Sequence, residues 1–233
     1  MAQALKRLGM LVPSSNTIAE PESAALLPLD GSVTLHVSRL RVVTISDDES
    51  SLAQFERSRI AAAVDLLADA NVDVILWNGT AASWLGFERD AELVAMIEAQ
   101  TGIRATTAVI ALNAELERLG ARRIALITPY VEALETKIVA NYGAAGIEVA
   151  AANRLDLTEN TAYASITPHD IAGMARSATA GISDLDAVLI LCTNLAGSSI
   201  ADQLEAELGI PVLDSVRVAV EHALRLLDHQ QTR

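Results

Sequence analysis

The chain has one cysteine, two phenylalanines, two tryptophans and three tyrosines in 233 residues. A single cysteine excludes an internal disulfide framework and every multi-cysteine metal site. Basic residues are also scarce, with 17 Lys and Arg against 30 Asp and Glu and a formal charge of −13. With no basic run, neither nucleic acid nor an anionic membrane surface is an expected partner. A small anionic substrate stays open, because backbone amides and helix N-termini bind anions locally. Long apolar runs are missing too. After Lys6 and Arg7 the run "LGMLV" stops at Pro13, too short for a signal-peptide core, and no later run reaches a membrane span. A cytoplasmic protein is the expectation. Glycine-rich phosphate motifs are absent, and His36, His169, His222 and His229 show no metal-ligand spacing, so no metal site is expected.

Present instead is a large apolar fraction, 51 %, dominated by aliphatic residues. That suits helices laid over a parallel sheet. Strand-like runs are "RLGMLVPSSN", "VTLHVSRL", "VDVILWNGT" and "IRATT" in the first half. "RRIALITPY", "IEVAAANRL", "DAVLILCTN" and "IPVLDS" follow in the second. Between them "FERSRIAAAVDLLADA", "RDAELVAMIEAQ", "AVIALNAELERLG", "YVEALETKIVANYG" and "SIADQLEAELG" carry helical spacing. Gly120, Gly143 and Gly209 stand where helices should end.

The halves also resemble each other. "MIEAQTGI" matches "QLEAELGI" at an offset of about 107 residues, "VDVILWNGT" matches "LDAVLILCT" at about 113, and "GMLVPSSNTIAEPE" matches "IALITPYVEALETK" at about 116. The chain therefore reads as two similar α/β halves, 1–110 and 111–233, with the last helix (215–228) able to cross back onto the first. Ligands of open parallel sheets bind beyond the carboxyl ends of the strands. Two facing halves would gather 13–16, 79–83, 129–130 and 192–194 around one cleft, a site for a small carboxylate.

Each residue there has a plain reading beside the functional one. Cys192 is either a small buried hydrophobe or a proton donor and base whose thiolate a following helix N-terminus would stabilise. Thr80 and Ser83 either cap a helix or, with nearby amides, hold a carboxylate. Gly79 between strand and turn lets a ligand approach the backbone. In "PSSNT" (Pro13, Ser14, Ser15, Asn16, Thr17), Thr17 and Glu20 fit a capping box, while Asn16 could bind a carboxylate through its amide. Tyr130 is either packing or a donor to an oxyanion, and Asn160 reads first as a loop asparagine.

Together "VPSSNT", the "NGT" turn, "TPY" and "CTN" resemble the aspartate/glutamate racemase superfamily, and within it the maleate cis-trans isomerase and arylmalonate decarboxylase branch. The resemblance runs nearly end to end and implies two pseudo-symmetric Rossmann-like lobes with the site between them. It also implies no metal or organic cofactor. Racemases and maleate isomerases of this type place a cysteine at each of two mirror positions. Here the second is Cys192 and the first is Gly79, the arrangement of arylmalonate decarboxylases. By that resemblance Thr80, Tyr130 and the N–H groups of Ala81, Cys192 and Thr193 would hold an enediolate that Cys192 protonates. Asn194 and Asn160 would flank the substrate, and Leu40, Val42 and Val43 would wall an apolar pocket. Two features depart from the decarboxylase pattern. "PSSNT" and "CTN" look more like the isomerase branch, and Ala81 stands where a serine or similar donor would follow Thr80.

The expected reaction is decarboxylation of a substituted (aryl)malonate. The alternative is a maleate isomerase or Asp/Glu-type racemase acting on a small dicarboxylate or amino acid. A non-catalytic carboxylate-binding protein is the third possibility. A homo-oligomer is compatible with exposed helix faces such as "ALNAELERL".

Overall fold

The computed structural model describes residues 5–48, 54 and 57–228. Phe55 and Glu56 at the start of the first long helical pattern, and His229, lie outside the described residues.

β1 (Lys6–Pro13), β2 (Val33–Leu40), β3 (Val74–Trp77) and β4 (Arg104–Thr107) form a parallel sheet in the order β2-β1-β3-β4. β5 (Arg123–Thr128), β6 (Glu148–Arg154), β7 (Ala187–Ile190) and β8 (Val212–Asp214) form a second in the order β6-β5-β7-β8. The two orders are the same once four is subtracted from each number of the second. β3 and β7, whose sequences are apolar throughout, are buried along their whole length, whereas the edge strands β2 and β6 keep partly exposed residues.

Parallel neighbours require crossover connections, and helices supply them. In the first half these are α1 (Ala19–Ala25), α2 (Arg57–Asp69), α3 (Ala82–Leu85), α4 (Glu88–Thr101) and α5 (Ala108–Leu119). In the second they are α6 (Glu132–Ala144), α7 (Asn160–Tyr163), α8 (Pro168–Thr179), α9 (Ala201–Leu208) and α10 (Ser215–Asp228). Gly120 and Gly209 end α5 and α9 with φ of 66° and 71°, the left-handed cap expected of them. Gly143 instead lies inside α6, and the turn beyond uses Gly146 at φ 78°. Helix α8 escaped the apolar periodicity, although Thr167 and Asp170 form a full capping box with Pro168 at the first turn.

Helix α10 buries Val216, Ala219, Val220, Ala223 and Leu227 along one stripe. That stripe packs on α5 and over β1 and β3, so the chain returns to its first sheet at its end. No helix among the described residues is long and apolar enough to cross a membrane.

In each sheet the strand order reverses between the two central strands, β1 and β3 in one and β5 and β7 in the other. Those reversal points are where open α/β sheets leave a crevice. Hydrogen bonds between the segments that leave these four strands show that the two crevices face each other.

Candidate active site

Residues from all four strand ends line one small cavity. Pro13 and Asn16 come from the end of β1, Gly79, Thr80 and Ala81 from that of β3, Tyr130 from β5, and Cys192 and Thr193 from β7. The cavity measures about 20 Å³, room for a single water-sized body. No charged side chain lines it among the described residues.

Thr80 Oγ1 and the Tyr130 hydroxyl lie 2.7 Å apart, a hydrogen bond from one lobe to the other. Tyr130 is 2 % exposed, with its ring edge-on to Trp84 at 4.9 Å and to Tyr163 at 5.9 Å. Burial, then the neighbouring Cys192, holds its phenol well above the ordinary range, so it stays a neutral donor. Cys192 is 3 % exposed and accepts a hydrogen bond at Sγ from the Asn194 N–H at 3.4 Å.

Burial pushes the Cys192 thiol up to about 11, against the smaller opposing pull of the Tyr130 hydroxyl and the Asn194 N–H. The expected helix start behind the cysteine is not there. Residues 193–200 form turns, and α9 begins only at Ala201. No helix N-terminus therefore stands behind the sulfur to favour thiolate, and burial favours the protonated form.

Asparagines lace the lobes together around this group. Asn16 donates through Nδ2 to Thr193 O at 3.0 Å and Thr193 Oγ1 at 3.1 Å, while its Oδ1 accepts from the Ile18 and Ala19 N–H groups. Asn194 Oδ1 accepts from Thr17 N at 3.0 Å, and its Nδ2 donates to Asn160 O at 2.6 Å. Asn160 in turn donates to Ser15 Oγ at 2.7 Å, and Thr193 Oγ1 donates to Asn78 O at 3.1 Å. The orphan N–H groups at the start of α1 are thus satisfied by two asparagine carbonyls. The Thr17–Glu20 capping box read from the sequence does not form, and Ile18 is the N-cap residue. The Asn16 amide lines the cavity but is committed to Thr193. Asn160 is buried at 4 % exposure at the start of α7, not on a surface loop.

Other expected site residues stand away from the cavity. Ser14 Oγ donates to Val42 O and accepts from Val42 N. Ser83 Oγ turns back to Thr80 O at 2.7 Å. Asn194 lies behind the cysteine, holding the two loops. Leu40 is in the core, and Val43 is 41 % exposed, so neither walls the cavity. Ile45, Trp77 and Trp84 do so instead. Ile45 is held by its N–H to Thr158 O at 2.9 Å, beside the bridge from Thr44 to Glu159. The pairing of the 40s segment with the opposite lobe moves the apolar wall from 40–43 to 45, a contact with no local sequence signal. The two tryptophans could have been singled out by their rarity and their places flanking the Gly79 turn.

A buried thiol and two paired hydroxyls thus line an uncharged cleft between twin α/β lobes. The model of the arylmalonate decarboxylase family matches residues 8–233, and the chain belongs to that family. It is 31 % identical over 235 residues to a maleate isomerase of Nocardia farcinica, covering 96 % of this chain and 91 % of that one. An arylmalonate decarboxylase of Bordetella bronchiseptica is 27 % identical over 154 residues, 66 % of this chain and 64 % of that one. The solved structure of the Nocardia farcinica maleate cis-trans isomerase bound to TRIS superposes with a TM-score of 0.87 at 30 % identity, covering 96 % and 93 % of the two chains.

Proposed function

We propose that the chain removes one carboxylate from a substituted malonate and that Cys192 supplies the proton that replaces it. The observation carrying this reading is the lone buried thiol, kept protonated beside a Thr80–Tyr130 hydroxyl pair and opposite a glycine. The retained carboxylate accepts hydrogen bonds from those hydroxyls in place of the one they make to each other. The bond to the second carboxylate breaks and carbon dioxide leaves. Its electron pair passes to the α-carbon and the retained oxygens, where preorganised donors lower the barrier. The Sγ–H of Cys192 then protonates the carbon from one face, and the thiolate regains a proton from solvent. The apolar side formed by Ile45 and Trp84 suits the carboxylate that loses its charge. The Trp77 indole, packed against Gly79 beside the thiol, supports a small substituent over the aryl ring expected from the resemblance.

Isomerisation of maleate is the second reading, and the relatives favour it over decarboxylation. Curated maleate isomerases from Nocardia farcinica and Geobacillus stearothermophilus are 31 % and 29 % identical to this chain over nearly its full length. Against it, Gly79 carries no side chain to act on its face, and Cys192 is a poor thiolate.

The deciding experiment measures carbon dioxide release from methylmalonate and phenylmalonate, and fumarate formation from maleate, with wild type and Cys192→Ser. Carbon dioxide release that collapses in the variant supports the first reading. Fumarate formation without carbon dioxide release replaces it with the second.

A further inference from the structure

Trp77 ends β3 and is 2 % exposed. Its indole occupies the space beside Gly79, where a Cβ would stand 2.5 Å from Trp77 Cζ2 and 2.7 Å from Cε2. Residues two apart along extended chain project to the same side, so the side chains at 77 and 79 compete for one volume. Trp77 also lines a second cavity of about 260 Å³, together with Ile60, Leu85, Leu93 and Met96. Apart from Ala81, it is the one residue common to that cavity and the one holding Cys192. The indole and Ala81 therefore stand between the thiol's cleft and a larger space that is mostly apolar but bordered by Arg89, Asp90 and Glu92.

We propose that Trp77 is the specificity-determining residue of this cleft. By filling the Gly79 side it confines substrates to small substituents and excludes any side chain, a second thiol included, from position 79. The inference rests on the cleft being the substrate site argued under Proposed function. An aromatic substituent enters only when the indole is shortened and the two cavities join.

The test compares wild type with Trp77→Leu, and with Trp77→Phe should the leucine variant not fold. The readout is the ratio of kcat/KM for phenylmalonate to that for methylmalonate. A rise of about tenfold or more in the folded variant is expected, the scale of discrimination that a changed apolar pocket supports. An unchanged ratio overturns the proposal. If neither protein releases carbon dioxide, the reaction reading has failed, and the affinities of the same two acids are compared by calorimetry. A tenfold shift toward phenylmalonate again supports the proposal, and an unchanged preference or no binding by either protein overturns it.

A second arm is independent of turnover. Gly79→Ala lowers the thermal midpoint in wild type, and the loss largely disappears in the Trp77→Leu background. Equal losses in both backgrounds would show that the indole does not hold that space, and the proposal falls.

Discussion

The protonation state of Cys192 separates an acid from a nucleophile, and it is open to direct measurement because the chain has a single cysteine. Protein labelled with ¹³Cβ-cysteine gives one cysteine resonance, whose position reports thiol or thiolate. Burial raises this thiol from 9.0 to about 11, with the Tyr130 hydroxyl and the Asn194 N–H pulling down and the Asp214 carboxylate pushing up. Two units correspond to about 3 kcal/mol in favour of the neutral form. At pH 7 about one molecule in ten thousand then carries thiolate. The resonance should hold still between about pH 6 and about pH 9, and Tyr130→Phe, which removes a bond to sulfur, should hold it still further. Linkage fixes the sign for stability. The folded value lies above the unfolded one, so this group's contribution is whole below 9.0 and is lost as pH climbs toward about 11. A transition near the unperturbed value of 9.0 would refute the reasoning. A transition below about pH 7 would go further and make Cys192 a ready thiolate, and addition to the maleate double bond would regain its chemical basis.

Asp90 gives a second pH signature. It is 3 % exposed and takes a hydrogen bond from the Thr107 hydroxyl, and burial lifts its carboxyl from 3.8 to about 7. Its stabilising contribution is therefore full below about 4 and fades as pH rises through about 7. Asp90→Asn should remove that fade, raising stability at pH 8 relative to wild type by up to roughly 4 kcal/mol. Urea denaturation at acid and alkaline pH checks this, and parallel profiles for the two proteins would contradict it. Asn194→Ala unpairs the Thr17 N–H and the Asn160 carbonyl, and should cost about 2 kcal/mol in urea unfolding. Thr80→Val should lower kcat about a hundredfold with little change in KM, because its hydroxyl matters most when charge develops. Steady-state kinetics decide it, and a rise in KM alone would make Thr80 a ground-state binder.

Much of the architecture is legible in the amino-acid sequence because parallel strands covered on both faces need uninterrupted aliphatic residues. "VILW" and "VLIL" stand out on that ground, and the strand ends mark the cleft without any knowledge of it. Cys192, Thr80 and Tyr130 come together as expected because each follows a central strand. What pattern could not supply are contacts between distant segments. Ile45 reaches the cavity only because the segment after β2 pairs with residues 158–160 of the other lobe. Asn16 and Asn194 read as ligand groups because short polar side chains at strand ends suit both capping and binding. Only the opposite lobe's backbone shows which role each takes. The helix imagined behind Cys192 failed for a local reason. "TNLAGSSI" combines turn-forming residues with glycine, and the helical run starts eight residues later than the strand's end suggests.

The return of α10 onto β1 and β3 sets an order on synthesis. As the chain emerges, the first sheet waits with an apolar face uncovered until Ser215–Asp228 arrives. The second lobe, made later, must therefore grow alongside an unfinished partner. The sheet that is made first is covered last, by a helix that follows the whole of the second sheet.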